Sequence, residues 1–147
     1  MAAVEPSVDP AAATSSFDRL YELAPRLRRA WSADTSVVPE LWSAQRPALG
    51  QSAATACAVQ DALGGDIVES TITLADGRSL SHFANVVDGL VIDLAQTEVE
   101  RATFVSGPLA PREGFASMRD YLLSQPGAQL GYAALKSRLS AGAGGTR

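Results

Sequence analysis

The fold is decided by residues 52–94, which read SAATACAVQDALGGDIVESTITLADGRSLSHFANVVDGLVIDL. The first part of this stretch consists mostly of small residues, and two consecutive glycines follow it. This pattern predicts a helix at 52–63 that ends at Gly64. Because small side chains let a helix approach its neighbours closely, we expect this helix to lie at the centre of the domain.

The second part of the stretch predicts an antiparallel meander. Three runs bounded by turn residues read as strands, at 66–74, 79–87 and 90–94. Asp76-Gly77 and Asp88-Gly89 separate these strands, and both dipeptides are typical of two-residue hairpin turns. We therefore expect three neighbouring strands covered by the helix of small residues.

Helical patterns flank this centre on both sides. Apolar residues at helical spacing predict a helix from Phe17 to Trp31, interrupted at Pro25, and a loop follows at 32–50. Two further helices are predicted at 115–123 and 128–139. The fold class is therefore α+β: a central helix packed on a short antiparallel sheet, with flanking helices.

The ends of the chain lack this periodicity. Residues 1–16 are rich in Ala, Pro and Ser and predict a disordered N-terminal tail, and the Gly/Ala-rich segment 140–147 predicts a flexible C-terminal tail. A single domain is expected between them, at 17–139. No basic and apolar leader opens the sequence, so we expect a cytoplasmic protein.

Composition excludes several classes of function. The chain has 147 residues, of which 46% are hydrophobic, and a net charge of −4, which disfavours nucleic acid and anionic membranes as partners. One cysteine (Cys57) and one histidine (His82) exclude an internal disulfide and a Cys/His zinc site. The sequence contains no P-loop and no dinucleotide-binding fingerprint, so we expect neither a metal nor a cofactor.

The hairpin at Asp88-Gly89 brings two titratable residues together. With these two residues as the turn, Ala84 pairs opposite Asp93, and His82 lies on the same face as the diagonal neighbour of Asp93. Diagonal neighbours are about 7–8 Å apart at Cα, so an imidazole and a carboxylate can form a hydrogen bond. Asn85 lies on the opposite face. We expect the His82 face to be the one that the helix at 52–63 covers.

The start of that helix supplies a candidate nucleophile. Ser52 lies where the backbone N–H groups of the first turn have no partners within the helix and where the helix dipole is positive. A nucleophile at this point, a base on the sheet and a carboxylate that orients the base follow the logic of a catalytic triad: Ser52, His82 and Asp93. Each residue also has a structural interpretation: a helix cap for Ser52, a hydrogen-bonded strand histidine for His82 and a strand-end residue for Asp93.

An ordered series of motifs resembles the YunG-like family of small bacterial proteins. The series begins with Trp31-Ser32-x-Asp34-Thr35-Ser36, Trp42, Pro47 and Gly50-Gln51-Ser52, where the family reads W-S-x-D-T-S…W…P-x-x-G-Q-C. It continues through Thr55-Ala56, Val59-Gln60-Asp61, Gly64-Gly65, Ser81-His82-Phe83-x-Asn85, Asp88-Gly89 and Ile92-Asp93-Leu94, and it ends in Tyr132-x-x-Leu135-Lys136-x-Arg138. The resemblance covers residues 20–139.

The G-Q-C motif is also similar to the nucleophile motif of transglutaminases. The order of Cys, His and Asp along helix, strand and strand resembles the wider group of papain-like, transglutaminase and arylamine N-acetyltransferase enzymes. This resemblance implies a papain/transglutaminase-like fold, with Ser52 as nucleophile, His82 as base and Asp93 as orienting acid. It implies an acyltransferase or hydrolase that takes a small-molecule or peptide amide, thioester or ester. Gln51 and Trp42 are the candidate substrate-binding residues, with loop packing for Gln51 and core packing for Trp42 as the alternative roles. We also expect Trp31 and Trp42 to lie close to the helix at 52–63.

Ser52 departs from the family pattern, which has Cys at this position. A serine hydroxyl is far less acidic than a thiol and must lose its proton during the attack. Three explanations remain open: an engineered replacement that disarms the enzyme, which the intact remainder of the site favours, a natural serine nucleophile, and a natural pseudoenzyme. The functional hypotheses are accordingly an acyl-transfer enzyme, a papain-like binding protein that forms no covalent bond, and a helical interaction domain with an accidental triad.

Overall fold

The computed structural model describes residues 10–100 and 102–144. Within these residues the helices are α1 (Pro10–Ala30), α2 (Ser52–Leu63), α3 (Gln96–Val99), α4 (Met118–Ser124) and α5 (Pro126–Gly144). The strands are β1 (Asp66–Leu74), β2 (Ser79–Val87), β3 (Leu90–Ile92) and β4 (Ala102–Val105), and short 3-10 turns lie at Ala33–Thr35 and Pro39–Leu41. The protein is therefore α+β, and none of the helices in the described part of the chain combines the length and the apolarity needed to cross a membrane.

Helix α2 is the centre of the main hydrophobic core. Its first eight residues are all buried, because Ala, Ser, Thr and Cys side chains leave room for other elements on every side. Helices α1 and α5 and strand β2 pack directly against it. The core around α2 includes Leu27, Val59, Phe83 and Leu135. As expected from the sequence, the helix of small residues lies inside the domain.

The four strands form one antiparallel sheet in the order β3-β2-β1-β4. Strands β2 and β3 pair with Val87 opposite Leu90 and Val86 opposite Val91, so the predicted register of this hairpin is confirmed. Asp88 and Gly89 both have positive φ angles, 53° and 79°, as a type I′ turn requires.

The sheet separates two hydrophobic clusters, because side chains alternate between its faces. One face carries Ile67 and Phe83 and belongs to the core around α2. The other face carries Ile72 and Leu80, which pack with Leu49 in a second, smaller cluster. The chain therefore crosses from the second face to the first between Leu49 and α2.

Several predicted boundaries differ from the structure. Helix α1 begins at Pro10 and continues through Pro25, so part of the predicted tail at 1–16 is helical, while residues 1–9 lie outside the described residues. Helix α5 likewise extends to Gly144, into the predicted C-terminal tail at 140–147. Residues 145–147 lie outside the described residues.

The meander also differs from its prediction in three respects. The turn between β1 and β2 contains three residues, Ala75–Gly77, because the Leu74 N–H donates to the Arg78 carbonyl across it. Strand β3 ends at Ile92, two residues earlier than predicted. Strand β4 and helix α3 were not predicted, since each has only four residues and too short a pattern to show a period.

Candidate functional site

The loop before α2 is fixed by hydrogen bonds that position its last residues. Ser36 donates its hydroxyl to the Leu49 carbonyl at 2.9 Å, and the Val37 N–H donates to the Gly50 carbonyl at 2.9 Å. Gly50 has a φ of +76°, and a Cβ atom there would lie 2.1 Å from the Ser36 Oγ. Glycine is therefore required at position 50 for both conformational and steric reasons.

Gln51 is fully buried and uses both ends of its side-chain amide within the protein. Its Oε1 accepts from the Thr35 hydroxyl at 2.6 Å, and its Nε2 donates to the Ser32 carbonyl at 2.9 Å. These bonds tie the loop to the start of α2. Gln51, a candidate substrate-binding residue, therefore lies inside the protein, where its side chain holds the loop in place.

Ser52 is the first residue of α2 and lies at the edge of the sheet where β3 has ended. Asn85 of β2 still pairs with Ile92 of β3, whereas Phe83, two residues earlier along β2, pairs with β1 on one side and has no partner from β3 on the other. The Phe83 N–H instead donates to the Ser52 Oγ at 3.1 Å. The hydroxyl of Ser52, a residue that is 3% exposed, therefore replaces a missing strand partner.

His82 is held by two carboxylates, one on each ring nitrogen. Its Nε2 lies 2.8 Å from Asp93 Oδ2, and its Nδ1 lies 2.6 Å from Glu98 Oε1. The second oxygen of Glu98 accepts the Gly50 N–H at 2.5 Å. The diagonal pair of His82 and Asp93 thus forms as the register predicts, and Glu98 links the imidazole to the loop before Ser52.

This environment keeps His82 charged. Burial disfavours the imidazolium and lowers the pKa of His82, but the hydrogen bonds that the ring donates to Asp93 and Glu98 outweigh it and raise the pKa to about 9. His82 is therefore protonated at neutral pH, and both of its N–H groups donate to carboxylates. The remaining oxygen of Asp93, Oδ1, is buried and has no hydrogen-bond partner among the residues described.

No hydrogen bond joins Ser52 to His82 within residues 10–100 and 102–144. The expectation that the His82 face meets α2 is wrong, although the register is right. Asn85, on the opposite face, points to α2 and donates to the Ala56 carbonyl at 2.9 Å. Both faces of the sheet are covered, one by α2 and the other by the loop before it, so a shared face does not determine which residues meet α2.

The two tryptophans differ in their relation to α2. Trp31 donates its Nε1–H to the Thr55 hydroxyl of α2 at 2.9 Å and is buried, which agrees with a place beside this helix. Trp42, the other candidate substrate-binding residue, donates its Nε1–H to the Pro47 carbonyl within its own loop at 2.9 Å. The Trp31 indole thus connects α1 with α2, and the Trp42 indole stabilises the loop before α2.

Glu98 is the site residue that sequence reasoning missed. It lies in the single-turn helix α3, between exposed and half-buried neighbours, and no spacing rule relates it to His82. Its one distinguishing property is burial: Glu98 is 2% exposed, whereas Glu100 in the same segment is exposed. Burial of this kind depends on the tertiary fold and has no local signature.

A buried cysteine and a cavity lie outside the site. Cys57 is buried in the core, and burial raises the pKa of its thiol to about 11, so it has the inert character expected of a small core residue. A cavity of about 360 Å³ lies near the other end of α2 and is lined by residues that include Gln60, Ile67 and Arg119. Among the residues that the structure describes, no group of His, Cys, Asp and Glu side chains is arranged to hold a metal ion.

The family model described as YunG protein matches residues 19–143. The chain belongs to the YunG family. The match includes α2, the whole sheet and most of α5, so every residue of the candidate site lies within the YunG region. The curated proteins and the solved structures compared with the chain contain no match.

Proposed function

We propose that this YunG protein is a non-catalytic member of the papain/transglutaminase-like class, which binds a small-molecule or peptide acyl compound without forming a covalent bond. One observation carries the proposal. Both ring nitrogens of His82 lie within hydrogen-bond distance of carboxylate oxygens, while the Ser52 hydroxyl is held by the Phe83 N–H. The site has the residue types of a triad but no route for a proton from Ser52 to His82.

A serine nucleophile needs a base with a free lone pair. The hydroxyl proton must be removed during the attack, and an imidazole can accept it only at an unprotonated nitrogen. The raised pKa of His82, about 9, means that this nitrogen is protonated at neutral pH. Serine chemistry is therefore unfavourable at this site near neutral pH.

A second candidate, an acyltransferase or hydrolase with a cysteine at position 52, is favoured by the layout of the site. Position 52 opens α2 beside β2, and His82 is hydrogen-bonded to Asp93. A thiol can lose its proton before the attack and pair with an imidazolium, so a charged His82 suits a thiolate better than a hydroxyl. On this proposal Ser52 stands where a reactive thiol would act.

The test compares covalent and non-covalent responses to one panel of activated acyl thioesters, esters and amides. Intact mass is recorded for the unmodified protein, Ser52→Cys, and Ser52→Cys with His82→Ala, and thermal unfolding is recorded for the unmodified protein with unreactive analogues. Circular dichroism of each variant establishes that it is folded.

We expect no acylation of Ser52 and a rise in melting temperature with at least one analogue, because a ligand that binds only the native state stabilises it. We expect Ser52→Cys to become acylated in a manner that depends on His82. Rapid, His82-dependent acylation of Ser52 itself would refute the non-catalytic proposal. Acylation of Ser52→Cys that does not change without His82 would refute the thiol-enzyme layout.

A further inference from the structure

The neighbourhood of the candidate triad is nearly filled by protein atoms. Gln51 and Ser52 are both buried, so the start of α2 is not open to a ligand at these two residues. The cavity lined by Glu98 has a volume of about 50 Å³, which suits water molecules rather than a small-molecule ligand. A bound acyl compound therefore needs a different part of the molecule.

The cavity of about 360 Å³, here called the β1–α4 cavity, lies between β1 and the start of α4, near the C-terminal end of α2. Its apolar wall is formed by Ile67 and Val68 of β1, Leu109 and Pro111 of the segment after β4, and Met118 of α4. Small-molecule sites have volumes of roughly 300–1,000 Å³ and are mostly apolar. The β1–α4 cavity therefore has the size and the surface of a site for a small apolar group.

The two largest polar side chains of this lining are bonded within the protein. Gln60 donates its Nε2–H to the Gly65 carbonyl at 2.9 Å, and its Oε1 accepts from Arg119 at 3.1 Å. Arg119 also donates to the Tyr132 hydroxyl at 2.9 Å and forms an ion pair with Asp61 at 2.9 Å. Because these groups already have partners, the wall selects a ligand by shape and apolar surface.

The lining changes from buried and apolar to exposed and polar. Ile67 is 6% exposed, whereas the lining residues Asp66 and Ser117 are exposed. A polar group beside the exposed residues keeps its hydration, while an apolar chain beside Ile67 leaves water. This gradient suits an amphiphilic ligand whose chain points inward.

We propose that the β1–α4 cavity binds the aliphatic chain of an acyl amide or ester, with the polar acyl group on the exposed side beside Asp66 and Ser117. The inference rests on the proposed function for the acyl class of the ligand, whereas the place of the chain rests on the cavity itself. Met118 adapts to chains of different length, because its unbranched thioether side chain has three rotatable bonds.

One side of the cavity is closed by residues 107–117, here called the strap, which are exposed and form neither helix nor strand. The Leu109 N–H donates to the Glu69 carbonyl at 2.8 Å, and Arg112 donates to the buried Glu69 carboxylate at 2.9 and 2.6 Å. The Arg112 guanidinium also lies 4.4 Å from the centre of the Tyr121 ring. Arg112 is therefore a positioning residue that holds the strap against β1.

The experiment observes Met118 by methyl NMR and measures affinity by calorimetry. The chain has two methionines, so carbon-13 labelling of their methyl groups gives two signals, and Met118→Leu identifies the one from the cavity. The probes are the unreactive amides from butanamide to decanamide, together with octan-1-ol, which has the chain but no acyl group.

The variants change the cavity at an exposed position. Ala116→Phe and Ala116→Leu place a large and a smaller side chain in the lining. Ala110→Phe is the matched control, because Ala110 is exposed in the same strap but does not line the cavity. Arg112→Gln loosens the strap, and circular dichroism establishes that each variant is folded.

We expect octanamide to shift the Met118 signal, and the affinity of the amides to rise by up to about fourfold for each added methylene group until the chain fills the cavity. Ala116→Phe should lower the affinity for octanamide at least about tenfold and Ala116→Leu by less, because the added side chain occupies the space of the ligand. Ala110→Phe should leave it unchanged. Arg112→Gln should weaken binding about threefold, since one wall of the cavity is then less ordered.

A Met118 signal that no probe moves, or an octanamide affinity that both Ala116 variants leave unchanged, would overturn the site. Failure of the proposed function has a different signature. Octan-1-ol would then bind in the cavity while none of the amides does, or acyl donors would modify Ser52 in the unmodified protein. A melting temperature that acyl analogues raise equally in the unmodified protein and in Ala116→Phe would keep the proposed function and contradict this site.

Discussion

The pairing of His82 with the carboxylates of Asp93 and Glu98 makes the stability of the protein depend on pH. The pKa of His82 in the native state is about 9, compared with an ordinary value of 6.5. Because the native state binds this proton more tightly than the unfolded state does, the stabilisation is fully present below pH 6.5 and is lost as the pH rises through about 9. One pKa unit corresponds to about 1.4 kcal/mol, so the full effect is about 3 kcal/mol.

The assay is urea unfolding followed by the fluorescence of Trp31 and Trp42 at a series of pH values from 6 to 9. Between pH 7 and 8.5 the native protein holds about one proton more than the unfolded chain, so the free energy of unfolding should fall by roughly 1.4 kcal/mol for each pH unit. At the lowest pH values of the series the contribution of His82 should level off, because the imidazole is then mostly protonated in both states. The Cys57 thiol, whose pKa is raised to about 11 by burial, contributes only above the ordinary thiol pKa of 9.0.

The Glu98→Gln variant provides the reference for this experiment. With the glutamine carbonyl on the Gly50 N–H, its NH₂ group faces His82 Nδ1 and favours the neutral imidazole. The unfolding free energy of this variant should therefore change much less over the same pH range. The difference between the two proteins removes the titrations that they share. The pairing of a charged His82 with both carboxylates would be refuted by either of two results. The unfolding free energy of the unmodified protein could stay flat between pH 7 and 8.5, or it could fall equally in Glu98→Gln.

Three further predictions concern residues that stabilise the fold. Gly50→Ala should lower the free energy of unfolding by at least about 2 kcal/mol, because alanine is strained at a positive φ and its methyl group has no room; urea unfolding checks this. Thr55→Val should cost about 1–3 kcal/mol and change the emission of Trp31, whose buried N–H loses its acceptor. Arg112→Gln should cost roughly 2 kcal/mol at pH 7, because Arg112 makes two hydrogen bonds to the buried Glu69 carboxylate. Burial raises the pKa of Glu69, but the hydrogen bonds that Arg112 and Ser81 donate lower it overall, so the cost should shrink as the pH falls through this lowered pKa.

The centre of the fold could be predicted because its signals are local. The small residues of α2 and the glycines after them define a buried helix with its end, and the Asp88-Gly89 turn fixes the register that joins His82 to Asp93. A two-residue turn with positive φ angles leaves no freedom in that register, so the pairing follows by counting.

The rest of the site depends on packing that no local pattern encodes. Register determines which residues share a face but not which element covers that face, and for that reason Asn85 rather than His82 points to α2. Glu98 reaches His82 only because the segment after β3 returns to the second face of the sheet. Helix α3 is stabilised by this tertiary contact, and β4 by its pairing with β1, rather than by their own propensity.

The most direct test of the account is the protonation of His82 in the unmodified protein at pH 7. Because the chain has one histidine, its two ring nitrogens can be observed by nitrogen-15 NMR without assignment ambiguity. We expect both nitrogens to carry a proton, as an imidazolium that donates to Asp93 and Glu98. An unprotonated ring nitrogen at pH 7 would show that His82 can accept a proton at neutral pH and would contradict the basis of the non-catalytic proposal.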